Sequence, residues 1–264
     1  MEQWRGKWAL VTGASAGIGK AFAEVLAAGG TNLVLTARRR ERLESLASAL
    51  AKAHGIRTEV CVADLADSSA PEQLFTFTKQ KGIAIALLIN NAGFGAYGEF
   101  ARVEQSKLLQ MVQVNCTAVV HLTRLFLPPM IERRSGDILI VASTAAFQAV
   151  PYISTYAATK AFDLLFAEGL AEETKPYGVR VCGLCPGSTV SEFHEVAGQK
   201  KFVERQRQES AEKVARTGLE ALAAGKSYVI SGVRNYLGAH MERLVPRRVV
   251  TRIAAKMFRP EAES

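Results

Sequence analysis

Cysteine and histidine are scarce in this chain, with four of each in 264 residues. Cys61, Cys116, Cys182 and Cys185 are irregularly spaced, which excludes the even framework of a disulfide-stapled domain and fits a reducing compartment. Cys182-x-x-Cys185 has no second pair to complete a metal site, so no metal is expected. In VRVCGLCPG the pair reads as part of a buried strand, where an odd separation points the two thiols to opposite faces. Long apolar runs are also missing: none approaches ~18 residues, and the opening MEQWRGKWALVTG lacks the pattern of a signal peptide. The expectation is a cytoplasmic protein.

Acidic residues are outnumbered, 25 to 33, for a formal charge of +8. From Lys226 onward eight Lys/Arg face only Glu242, Glu261 and Glu263, so the excess is concentrated in a basic tail, 233–264. No recognition motif accompanies it, and nucleic acid is not an expected partner. In PRRVVTRIAAKMFRP, Val249, Val250, Ile253, Ala254, Met257 and Phe258 fall on one helical stripe, with Arg248, Arg252, Lys256 and Arg259 largely off it. Such a helix suits an anionic membrane surface. Docking on its own domain or on a partner subunit is the more economical reading.

Short Val/Leu/Ile-rich runs alternate with longer helical patterns. Strands are expected at 7–12, 31–36, 56–62, 86–90, 136–142, 178–184 and 227–230, with helices at 17–29, 39–54, 70–81, 103–132, 152–176 and 210–224. Pro128 and Pro129 should close the fourth helix. One α/β domain follows, a doubly wound parallel sheet of seven strands with helices on both faces and a ligand crevice at the strands' carboxyl ends. The polar stretch 187–210 interrupts this rhythm and is expected to begin a substrate lid spanning 187–225.

The first strand runs into TGASAGIG, Thr12 to Gly19, and then a helix. Gly13, Gly17 and Gly19 permit a tight turn and close approach to a pyrophosphate, with Ser15 and Ile18 as further contacts. After the second strand, where an acid would hold the ribose of NAD, stand Ala37, Arg38, Arg39 and Arg40. A guanidinium can grip a 2′-phosphate by forked hydrogen bonds, so NADP(H) is favoured over NAD(H), with Arg38 as first choice. Asp64 and Leu65 could bracket the adenine, and Asp64 could equally be a turn residue.

Tyr156 and Lys160, four residues apart, would share one helix face, and Ser143 lies thirteen residues before the tyrosine. A cation beside a phenol favours the phenolate and makes it useful as an acid/base. With TGASAGIG, NNAG at Asn90 to Gly93, Asn115, Ser143, Tyr156-x-x-x-Lys160 and Pro186-Gly187 in this order, residues 6 to about 232 resemble the short-chain dehydrogenase/reductase family, in its Ser-Tyr-Lys branch.

The resemblance implies a Rossmann-type fold and nicotinamide-dependent interconversion of a small-molecule carbonyl and its alcohol. It makes Tyr156 the acid/base, Ser143 a hydrogen-bond donor to the carbonyl oxygen, Lys160 the residue that tunes the phenol and binds the nicotinamide ribose, and Asn115 the holder of a relay water. Asn90, Ala92 and Gly93 would line the cofactor cleft, with Asn91 mainly structural. Pro186, Gly187 and either Thr189 or Ser191 would meet the nicotinamide. Thr189 and Ser191 depart from the family's Val and Thr, and Ala16 stands where many NADP-preferring members carry a basic residue.

Phe94, Tyr97, Phe147, Tyr152 and Phe193 could wall the substrate pocket, and His194 could reach it. An alternative activity is reduction of 3-oxoacyl thioesters on a carrier or CoA. An alternative class is a catalytically silent nicotinamide sensor or scaffold. The resemblance also implies a homodimer or homotetramer through 103–132 and 152–176.

Overall fold

All seven apolar runs form strands, because β-rich segments without polar alternation can bury both faces only in a parallel sheet covered on each side. The protein is described by a computed structural model over residues 1–190 and 208–260. The strands are β1 (Trp8–Thr12), β2 (Asn32–Thr36), β3 (Thr58–Val60), β4 (Ile85–Asn90), β5 (Gly136–Val141), β6 (Val179–Cys185) and β7 (Tyr228–Ile230). All pairings are parallel, in the order β3-β2-β1-β4-β5-β6-β7. The helices among the described residues are α1 (Gly17–Ala28), α2 (Arg40–His54), α3 (Ala70–Gln80), α4 (Gln105–Val112), α5 (Ala118–Glu132), α6 (Ser154–Thr174), α7 (Ala211–Ala223), α8 (Val233–Met241) and α9 (Arg247–Phe258).

Side chains alternate along each strand and so feed two cores. Ala9, Val11, Leu33, Leu35 and Leu139 pack beneath α1, α2 and α7 with Phe22, Leu43 and Leu219. Leu10, Val34, Leu88 and Ile138 pack beneath α3, α5 and α6 with Leu74, Phe126 and Leu170. The same alternation puts Cys182 in the first core and Cys185 in a separate cluster with Ala142 and Leu164, both as free thiols. The chain order reverses between β1 and β4, and a doubly wound sheet opens its crevice there.

At the opposite, amino end of the sheet, Asp137 of β5 lies beside Arg180 of β6 in register. Its carboxylate accepts from Arg180 Nε at 2.6 Å and Nη2 at 3.0 Å, and from the indole of buried Trp4 at 2.7 Å. The N-terminal segment is thereby fastened under the sheet.

Two expectations are overturned. Pro128 and Pro129 do not close the helix, since α5 runs on to Glu132. They take two donors from the ladder, those that would bond the carbonyls of Arg124 and Leu125, and the last turn is held instead by fully buried Met130 and by the Arg133 guanidinium, which donates to the carbonyls of Pro129, Ser135 and Ile85. Second, Gln105–Glu132 forms 28 residues of continuous helical backbone, long and apolar enough by length and composition to cross a bilayer. Polar residues scattered along it hid this from a search for unbroken apolar runs, and its buried face packs on β4 and β5.

Replacing Asp137 by Ala leaves a half-buried guanidinium and the Trp4 indole without their acceptor. Urea unfolding of Asp137→Ala is expected to show a loss of about 2–3 kcal/mol. A change within about 0.5 kcal/mol would show that the fastening is inert.

Candidate active site

The carboxyl ends of β1 and β4 are tied by one hydroxyl. Thr12 Oγ1 donates to the Ile89 carbonyl (3.1 Å) and accepts from the amides of Asn91 and Ala92, both at 2.9 Å. Asn91 Nδ2 returns a bond to the Thr12 carbonyl at 2.8 Å, which gives this residue the structural part expected of it. The chain then turns through Gly13 at φ +66° into α1. A Cβ on Gly19 would lie 2.2 Å from the Gly13 carbonyl oxygen and 2.5 Å from Asn91 Nδ2, so only glycine lets the helix start this close to the strand. Ala16 at the helix N-cap has no side-chain acceptor, which leaves the first-turn amides of α1 uncapped by any side chain. An open glycine turn ending in such a helix start fits a dinucleotide pyrophosphate.

Arg38, Arg39 and Arg40 are exposed at the end of β2. Arg39 reaches across to the glycine turn, donating to Ser15 Oγ from Nε (3.3 Å) and Nη2 (3.0 Å), whereas Arg40 pairs with Glu44 one turn along α2. Arg39 therefore joins Arg38 as a candidate for a ribose phosphate, which sequence spacing alone did not separate from a solvated charge. Asp64 behaves as a turn residue, accepting from the Ala66 amide at 3.0 Å, and Leu65 packs into the core with Val34 and Leu74.

The buried Asn90 side chain points away from the cleft. Its Nδ2 donates to Thr123 on α5 at 3.0 Å, so a cofactor contact there would have to use backbone. Ala92 is committed through its amide to Thr12, while Gly93 is exposed but backed by buried groups, since a Cβ on it would lie 3.1 Å from Asn115 Oδ1 and 3.4 Å from Lys160 Nζ. Pro186 accepts from the Thr144 amide at 2.9 Å. Gly187 is pressed against Asn235 of α8, 2.3 Å from where its Cβ would sit. Thr189 is buried and its hydroxyl donates to the Gly187 carbonyl at 3.0 Å. Ser191, Phe193, His194 and the rest of 191–207 lie outside the described residues, whereas the later part of the expected lid is not a lid: it forms α7, whose Val214, Ala215, Leu219 and Leu222 pack in the first core.

Between α4 and α5 the backbone widens into a π-helical turn, Gln113–Thr117, which holds Asn115. Fully buried Asn115 accepts from the Phe94 amide (3.1 Å) and donates to the Phe94 carbonyl and to Thr159 Oγ1, both at 3.0 Å. It thus joins the loop after β4 to α6. On α6, Tyr156 and Lys160 do share a face, and the Tyr156 hydroxyl is hydrogen-bonded to Ser143, just beyond β5. Ser143 Oγ also accepts from the Ala145 amide at 3.1 Å, which fixes the hydroxyl's position.

Lys160 is buried, and its ammonium donates to the Val141 carbonyl at 2.8 Å and to Asp163 Oδ2 at 2.9 Å. Asp163, fully buried, was missed by the sequence reading. An acid three residues after Lys160 in the apolar run AFDLLF was the available signal. Its other oxygen, Oδ1, has no hydrogen-bond partner among the described residues. Burial raises the Asp163 carboxyl against the pull of Lys160. Burial opposes the lysine's charge too, but Asp163 and Tyr156 outweigh it and hold the ammonium above its ordinary range.

The phenol does not follow the sequence expectation. Burial raises Tyr156, the Lys160 charge and the Ser143 hydrogen bond pull it down, and Asp163 adds to the rise, for a net upward shift. A carboxylate against Lys160 screens the cation that was to draw the phenol's pKa down.

Of the five aromatic wall candidates, Tyr97 packs in one cluster with Tyr156, Val150 and Ile153. Phe94 belongs to the core beneath α3 and α5, and Phe147 to the cluster around Cys185, beside the Tyr228 ring. Tyr152 takes a positive φ of 67° and bonds through its carbonyl to Gly98. The wall beside Tyr156 instead gains Ala254 and Phe258 from α9.

The family model for short chain dehydrogenases matches residues 7–201. The chain belongs to the short-chain dehydrogenase/reductase family. It is 37% identical over 181 residues to the very-long-chain 3-oxoacyl-CoA reductase of Phaeosphaeria nodorum, a match that covers 67% of this chain and 53% of that protein. It therefore spans about half the length of the curated relatives it matches. Among solved structures, a short-chain dehydrogenase from Sphingobium yanoikuyae in complex with NADPH is 28% identical, with a TM-score of 0.83 and 98% of each chain covered. The bulky-bulky ketone specific alcohol dehydrogenase from Comamonas testosteroni is 26% identical, with a TM-score of 0.77, 98% of this chain and 96% of that one.

The Asp163–Lys160 pair makes a signed prediction. Asp163→Asn keeps a hydrogen-bond partner for Lys160 but removes the charge that raises Tyr156. The alkaline limb of the pH–rate profile for carbonyl reduction should move to lower pH, because the phenol then loses its proton sooner. An unmoved limb beside a reduced rate would assign Asp163 a packing role only.

Proposed function

We propose that this protein is an NADP(H)-dependent reductase of a ketone, working also in reverse on the secondary alcohol, with Tyr156 as the acid/base. The observation that carries the reading is the Tyr156–Ser143 hydrogen bond, held one helical turn from buried Lys160, whose ammonium lies by Gly93 in the loop after β4. The bound nicotinamide supplies the hydride. The first-turn amides of α1 and Gly13 would hold its pyrophosphate, and Arg38 with Arg39 its 2′-phosphate.

As hydride reaches the carbonyl carbon, negative charge grows on the oxygen. The Ser143 hydroxyl, positioned by the Ala145 amide, donates to that oxygen, and Tyr156 gives up its proton to it. The phenolate left behind is stabilised by the Lys160 charge, the stronger of the two influences that pull the phenol's pKa down. A phenol whose pKa is raised before reaction is protonated at neutral pH, as a proton donor for reduction must be. In the reverse direction the phenolate accepts the alcohol's proton.

The apolar cluster of Tyr97, Val150, Ile153, Ala254 and Phe258 beside Tyr156 supports a bulky, apolar substrate. A second reading, a 3-oxoacyl thioester as that substrate, is supported by similarity to relatives bearing that name. NADPH consumption measured with free bulky ketones and with 3-oxoacyl-CoA separates the two. Tyr156→Phe should lower kcat by about 10²–10⁴-fold with NADPH affinity unchanged. Arg38→Ala and Arg39→Ala should each raise the KM for NADPH about tenfold and leave that for NADH alone. A wild type that binds NADPH yet turns over neither substrate class would favour a silent sensor or scaffold, and a strong NADH preference would sink the assignment of the two arginines.

We also infer self-association through α4, α5 and α6, which expose Leu109, Val112, Val120, Phe162 and Leu165, with Val120 and Phe162 lining a cavity of about 500 Å³. Light scattering should find a dimer or tetramer, and Phe162→Glu with Leu165→Glu should yield monomers.

A further inference from the structure

The C-terminal elements α8 and α9, both beyond the residues matched by the family model, carry apolar side chains on their outer as well as their inner faces. Helix α8 docks through Asn235, against Gly187, and through buried Ala239. On its opposite side Val233, Leu237 and Met241 recur at four-residue spacing, and Leu244 continues the row past the helix end. Val233 is 77% exposed and Leu244 84%. Helix α9 docks through Ala254 and Phe258, in the cluster that contains Tyr156. Its next stripe, Val249, Ile253 and Met257, is left in solvent, with Ile253 53% and Met257 57% exposed.

Beside that stripe Arg248, Arg252, Lys256 and Arg259 form a second row at spacings of four, four and three residues. All four are exposed and none has an ion-pair partner among the described residues. Residues 243–260 hold six Lys/Arg and no acid. The acid just before them, Glu242, is partly buried, with one carboxylate oxygen enclosed and without a hydrogen-bond partner among the described residues.

We propose that the outer face of α8 and α9 docks on the surface of an anionic lipid bilayer. The apolar rows enter the headgroup boundary, and the basic row meets lipid phosphates. The charge pattern selects this occupant. A second copy meeting the same face would set the four cations of the basic row against four. An acidic carrier protein would pair the cations and leave the seven apolar side chains in water. A bilayer takes up both. Because the inner face of α9 packs in the Tyr156 cluster, the docked protein holds its candidate active site about one helix diameter from the lipid.

The test is co-sedimentation of the full chain with vesicles of phosphatidylcholine alone and of phosphatidylcholine mixed with phosphatidylglycerol, at low and high salt. Binding is expected to the mixed vesicles and to fall steeply with salt. The triple variant Arg248→Gln, Arg252→Gln, Lys256→Gln should lower partitioning about 100-fold. Leu237→Ser with Ile253→Ser should lower it more than tenfold. Because these positions are exposed, both variants should keep the wild-type thermal midpoint, which shows that lost binding is not lost folding. The proposal is overturned by equal binding to neutral and anionic vesicles, by no binding at low salt, or by binding that survives both variants. It is also overturned if Leu237→Ser with Ile253→Ser breaks an oligomer and the wild type ignores vesicles, which would give the face to a second copy.

Discussion

The bond on which the rest of the site depends is the Thr12 hydroxyl bridging β1 and β4. These strands are neighbours in the sheet but lie 77 residues apart in the chain, at the point where the strand order reverses. The hydroxyl takes two amides and gives its proton to a carbonyl, so backbone groups that have just left the ladder stay satisfied without water. The two strand ends are then fixed relative to each other. The glycine turn packs on Asn91 from one side, and from the other the loop through Gly93 and Phe94 is carried to Asn115 and on to α6. Cofactor cradle and acid/base helix thus share one frame.

Within that frame the electrostatics centre on a buried ion pair. Lys160 lies too deep to keep its charge alone, and the Val141 carbonyl and Asp163 compensate it. The compensation reaches the reacting group: burial does most to raise the Tyr156 phenol's pKa, and Asp163, by partly cancelling the cation beside it, adds to the rise. The pair also fixes the lysine's reach, because its ammonium is held by one bond to the end of β5 and one to Asp163 on its own helix. The same economy recurs at the amino end of the sheet, where Asp137 is buried only because Arg180 and Trp4 satisfy it.

Much of the fold was legible in the sequence because its signals are local. Seven Val/Leu/Ile runs bounded by turn residues became seven parallel strands, and three glycines after the first of them became a strand-to-helix turn. Tyr156 and Lys160 met because helical periodicity alone brings residues four apart together. The reading failed where a residue's partner comes from another element. Asn90 was assigned to the cleft, but its side chain found Thr123 on α5. Arg39 passed for a solvated charge until the turn brought Ser15 within its reach. Asp163 had a local signal, since it stands three residues after Lys160 in an apolar run, but its full burial against the sheet depends on how α6 packs.

The sequence by itself determined the sheet, the glycine turn and the residue set Ser143, Tyr156 and Lys160, since periodicity, glycine's conformational freedom and chemical type are properties of short segments. Only the tertiary structure decided how those residues are charged and what surrounds them. Desolvation of Tyr156, the pairing of Lys160 with Asp163, and the arrival of Ala254 and Phe258 beside the phenol all depend on burial by distant elements. Burial is a property of the packed whole, and no segment carries it alone.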